Sequence, residues 1–107
     1  ESAAAWANIE RTIADNDAYC RGVVLLGLSA PEGELIASFK AAASTPIVKG
    51  FAVGRTIFAD AAEKWLAGKM DDETAIADLS RRLSVLVDAW REAKARVAAK
   101  ANVRENA

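Results

Sequence analysis

Trp6, Ile9 and Ile13 recur at helical spacing through an Ala-rich opening, so residues 3 to 14 read as a helix. Asp15, Asn16 and Asp17 end it, because their short polar side chains compete for local backbone bonds and favour turns. The period then changes. "GVVLLGL" (22–28) sets four apolar residues between glycines with no polar alternation, the pattern of a strand covered on both faces. Leu35, Ile36 and Phe39 form the stripe of a helix over about 32 to 43. Ser29 and Glu32 stand at capping-box spacing before it, with Pro31 near the first turn. "IVKGFAV" (47–53) gives a second apolar strand with Lys49 inside it. A helix over about 56 to 67 follows, its face made by Ile57, Phe58, Ala61, Ala62, Trp65 and Leu66, and Gly68 sits where a C-cap belongs. Asp71, Asp72 and Glu73 put negative charge at the start of a last helix, where the macrodipole favours it. Its stripe runs through Ile76, Leu79, Leu83, Leu86, Val87 and Trp90. Residues 94 to 107 hold few apolar anchors and read as a frayed tail.

The order is helix, strand, helix, strand, helix, helix, and a right-handed parallel crossover is the expected link between the strands. Two parallel strands are too few to stand alone, so this order predicts a piece of a larger sheet. The expected fold class is α/β: the C-terminal quarter of a (β/α)₈ barrel plus an extra C-terminal helix. A whole barrel takes about 250 residues. At 107 residues the chain is read as a single C-terminal fragment of such a domain.

Composition narrows the chemistry. Fourteen Lys and Arg against fifteen Asp and Glu give a net charge of −1, which offers no broad electrostatic footprint for nucleic acid or an acidic membrane. No apolar run approaches the roughly 20 residues of a membrane span. The chain has one cysteine, Cys20, and no histidine, which excludes an internal disulfide, a Cys/His zinc site and a serine triad that uses His. No metal and no cofactor is expected.

The candidate chemistry lies where strands become helices. In (β/α)₈ barrels the loops after the last two strands, with a helix N-terminus, bind phosphate. Gly54 would let the backbone approach a phosphate, amides at residues 55 to 57 would point at it, and Arg55 would add a charge-assisted fork. Gly27, Leu28 and Ser29 would supply neighbouring donors from the first junction. Lys49 has two readings. It reaches an anionic substrate at the mouth of the site, as a catalytic residue or even a Schiff-base former, or it lies at the strand's outer end and snorkels to water. The three tryptophans lie on apolar stripes and read as packing residues.

"GFAVGRTIF" is similar to elements of the orotidine-phosphate decarboxylase group and of class I sugar-phosphate aldolases of the tagatose-bisphosphate kind. A longer stretch, residues 20 to 90, resembles the end of the aldolase-like C-terminal domain of bifunctional 5-dehydro-2-deoxygluconokinases, with "VKGFAVGRTIF" its most specific part. The resemblance implies a cytoplasmic kinase/aldolase of myo-inositol catabolism, with this chain supplying the phosphate grip for a phosphorylated sugar acid. The implied reaction is cleavage of 2-deoxy-5-keto-gluconate 6-phosphate to dihydroxyacetone phosphate and malonic semialdehyde. The partner would be the rest of the parent barrel, or further copies of the chain in a homo-oligomer. The rival readings are a decarboxylase or isomerase barrel with the same grip, and a non-enzymatic helical module whose apolar stripes dock a partner.

Overall fold

The computed structural model describes residues 2–105, and each segment read as helix or strand forms one. Helix α1 (Ala3–Asn16) opens on Ser2, whose hydroxyl accepts from the Ala5 amide at 3.2 Å. Strand β1 (Val23–Leu26), helix α2 (Glu32–Ala42) and strand β2 (Val48–Ala52) follow. Helix α3 (Arg55–Leu66) stops at Gly68, which takes the left-handed φ of 73°. The Gly68 amide donates to the Trp65 carbonyl and the Lys69 amide to that of Lys64, the paired bonds of a Schellman ending. Helix α4 (Asp72–Glu105) is capped by Asp71, whose carboxylate accepts from the Thr74 amide at 2.8 Å. Those bonds to Thr74 hold the Asp71 carboxyl below its usual range. The acidic trio is therefore a helix start.

β1 and β2 pair in parallel as a two-stranded sheet. The register is regular from Val24 opposite Gly50 to Leu26 opposite Ala52, but Val23 pairs with Val48. Lys49 is thus the extra residue of a local irregularity. Past it the alternation resets, so that Val48 and Phe51 both turn toward the helices.

The helices lie on one side of that sheet. Phe39 of α2 has no exposed surface; its ring stacks at 4.7 Å from Phe51 of β2 and meets Trp90 of α4 edge-on at 5.5 Å. Trp6, Leu25, Leu35, Val48, Leu86 and Ala93 complete the core around it. α4 also ties itself to both preceding helices. Lys94 donates to the Ala43 carbonyl just past the end of α2, at 3.2 Å, while lying over the Trp90 ring. Arg82 bridges Asp78 on its own helix and Asp60 on α3. The Arg82 hydrogen bond leads the effects that pull the Asp78 carboxyl below the usual range.

This architecture overturns the barrel-quarter expectation. Helix takes up 68% of the described residues, and the strands are only four and five residues long. The longest element, α4, has 34 residues and packs across both α2 and α3. The molecule is a small mixed domain, mostly helical, with one short parallel pair set into a helical core. The double-sided burial expected of the strands is also absent: Leu25 is buried, but Val24 and Leu26 are 49% and 58% exposed. The segment expected to fray continues α4 as helix to Glu105, with Ala101, Asn102 and Val103 exposed.

Candidate phosphate-binding site at the strand ends

Because the strands run parallel and side by side, their C-terminal ends deliver two loops to the same edge of the domain. The first loop follows Leu26. Gly27 is buried and donates to the Ala52 carbonyl at 3.0 Å, so the ladder runs one residue beyond β1. Leu28 and Ser29 then both adopt left-handed backbone, at φ 48° and 64°. Two consecutive non-glycine residues in that region are uncommon, and such strain concentrates at binding and catalytic sites.

The conformation also undoes the capping box. Pro31 takes the N-cap position of α2 and no side chain caps that helix. Ser29 is left exposed on the turn, its hydroxyl unspent on the helix. The Ala30 amide closes the turn by donating to the Gly27 carbonyl at 2.8 Å.

The second loop is Val53-Gly54, leading into α3. Gly54 is the N-cap, with no side chain to satisfy the first amides. Its carbonyl accepts from Ile57 and Phe58, so the amide of residue 57, expected as a donor to ligand, is already used. The amides of Leu28, Ser29, Arg55 and Thr56 make no hydrogen bond among the described residues. Arg55 is exposed at the first helical position, and its guanidinium pairs with no carboxylate among those residues. A helix N-terminus with uncommitted donors and a neighbouring guanidinium is what an anion requires.

Thr56 joins the two loops. Its hydroxyl donates to the Ala30 carbonyl at 3.0 Å, fixing the start of α3 against the turn after β1. Gly27 makes this approach possible: a Cβ there would stand 3.0 Å from Val53 Cγ1 and 3.1 Å from Thr56 Oγ1. Gly27→Ala is therefore expected to cost about 1–3 kcal/mol through overpacking and to loosen the Thr56 tether. Gly50→Ala, where a Cβ meets nothing within 4 Å, should leave the chemical-denaturation midpoint near its starting value. Sequence reasoning missed Thr56. The only available signal was a hydroxyl residue two places after the glycine, and nothing pointed to Ala30 as its acceptor.

Gly27, Ser29, Gly54 and Arg55 are thus brought to one edge. Lys49 is not among them. It lies at the other end of β2, about 10 Å along the strand from Ala52 at the usual rise per residue. Its exposed side chain lines a separate polar recess with Glu10, Asp17, Cys20 and Arg21. Of the two readings of Lys49, this position matches the strand-end one, with the ammonium in water. Among the described residues no three His, Cys, Asp or Glu side chains gather as a metal-binding group. Among the described residues no helix is long and apolar enough to cross a membrane.

A family of bacterial proteins, described as "Uncharacterized protein conserved in bacteria (DUF2090)", matches residues 1–94. The chain belongs to this family. The match takes in both strands, both strand-end loops and most of α4, so the candidate site lies wholly inside the DUF2090 domain. No curated protein and no solved structure matches the chain.

Proposed function

We propose that this DUF2090 domain binds a phosphorylated sugar acid or a phosphorylated cleavage product of one, gripping the phosphate between the Leu28-Ser29 turn and the start of α3. The observation that carries the reading is the tethered pair of loops. Four uncommitted amides and Arg55 lie on one edge, and the Thr56–Ala30 bond holds the two halves in fixed relation. Preset donors lower the ordering cost of binding an anion. A dianionic phosphate can accept several charge-assisted bonds at once, which suits it to this edge better than a neutral hydroxyl group.

The class of substrate comes from the resemblance of residues 20 to 90 to the aldolase-like domain of the 5-dehydro-2-deoxygluconokinases. On that footing the domain takes part in phosphosugar carbon–carbon chemistry in a cytoplasmic sugar-acid pathway. Its own contribution is the phosphate grip. Titration calorimetry with dihydroxyacetone phosphate, and with dihydroxyacetone for comparison, tests it. Saturable heat for the phosphorylated ligand alone is expected. Equal responses to the two ligands, or none to either, would remove the phosphate from the reading.

A further inference from the structure

The sheet presents a surface that the chain itself leaves uncovered. One face is packed on α2 and α4, while Val24 and Leu26 stand out from the other. The outer edge of β1 is open as well. Val23 and Gly27 donate their amides toward β2, so by strand alternation the amides and carbonyls of Val24 and Leu26 point away from it. Apolar side chains and unpaired backbone groups thus share two residues.

The two edges of the sheet are not alike. β2 carries a charged residue, Lys49, within the strand, and a charge on an edge strand discourages further pairing. β1 is Val-Val-Leu-Leu, with no charge, proline or bulge to discourage a neighbour. One edge is guarded and the other is built to pair.

The overall dimensions also point to missing cover. A folded monomer of 11.3 kDa is expected to expose about 5,700 Å², whereas this chain exposes 7406 Å². Its radius of gyration is 17.0 Å, against about 13 Å for a compact domain of this length. The outer turns of α4 account for part of the excess. The total excess, about 1,700 Å², is about twice the roughly 800 Å² that each partner buries in a standard interface.

We infer that β1 is a dimerisation edge: two copies pair their Val23–Leu26 strands antiparallel about a two-fold axis, giving one four-stranded sheet in the order β2-β1-β1-β2. A second copy is the occupant because the patch is complementary to itself. It has no charge for a partner of opposite sign to read, and a two-fold axis matches its donors to its own acceptors. Closure follows from the same asymmetry. Once the β1 edges are joined, only the guarded β2 edges remain, so assembly stops at two. Four strands also move the sheet from marginal to ordinary size.

Light scattering after size exclusion, applied to the full chain and to two variants, tests this. The wild type should run as a dimer. Val24→Lys, which puts a charge on a half-exposed edge residue, should run as a monomer, and Ile76→Lys on the remote α3–α4 face should stay dimeric. Hydrogen exchange on the wild type gives a readout free of any mutant's folding: the Val24 and Leu26 amides should be protected in concentrated solution and lose that protection on dilution. A wild-type monomer at high concentration would overturn the inference. So would a dimer broken by Ile76→Lys and left whole by Val24→Lys, or Val24 and Leu26 amides that exchange freely in the dimer.

Discussion

Phe39→Ala should destabilise the domain by about 3–5 kcal/mol, the usual cost of truncating a fully buried aromatic residue. Phe39 is completely buried and is the point where α2, β2 and α4 meet, through Phe51 on one side and Trp90 on the other. The surrounding groups sit on three separate elements and cannot collapse together into the space, which favours the upper part of that range. Small domains hold about 5–15 kcal/mol in total, so the variant should be largely unfolded or melt at far lower denaturant. Phe39→Leu, which keeps apolar volume at the junction, should lose markedly less. Urea titration followed by tryptophan fluorescence measures both, with Trp90 reporting directly on the contact. Equal midpoints for wild type and Phe39→Ala would mean that α4 does not pack on α2 in solution.

Arg55→Ala should weaken binding of a phosphorylated ligand by about 1.5–3 kcal/mol, the range for a hydrogen bond to a charged group. This corresponds to roughly a ten- to hundredfold rise in Kd. Stability should barely change, since the side chain is exposed and unpaired among the described residues. Lys49→Met serves as the control, because it deletes a cation at the opposite end of the sheet and should leave the affinity alone. Titration calorimetry with dihydroxyacetone phosphate on the two variants separates a local grip from a general effect of net charge. Equal losses in both would make the attraction diffuse and assign no special part to Arg55.

The succession of elements was legible in the sequence because each rests on local signals. Helical stripes such as Leu35, Ile36 and Phe39, the glycine after α3 and the acidic start of α4 all work within a turn or two of chain. What was not legible depends on which partner each face finds. "GVVLLGL" reads as covered on both sides, yet Leu25 is buried while Val24 and Leu26 stand exposed, because the helices all settle on one side. Strand-then-helix order suggested a barrel, but order carries no count of strands, and two short strands among long helices make a different, mostly helical domain.

The site was legible in part for the same reason. Glycine and arginine at a strand-to-helix junction mark an uncapped helix start, and α3 has one. Lys49 was ambiguous because the alternation that would place its side chain is reset at that very residue. Ser29 looked like half of a capping box. The left-handed turn that frees it depends on tertiary contacts of Gly27, Ala30 and Thr56, which no local pattern encodes.

The central claim is that one phosphate is held by amides of both strand-end loops together. The most direct test is an amide nuclear magnetic resonance titration of the full chain with inorganic phosphate, with chloride at matched ionic strength as reference. The amides of Leu28, Ser29, Arg55 and Thr56 should shift together along one saturable curve. Shifts confined to the recess lined by Arg21 and Lys49, or shifts that chloride reproduces, would contradict it.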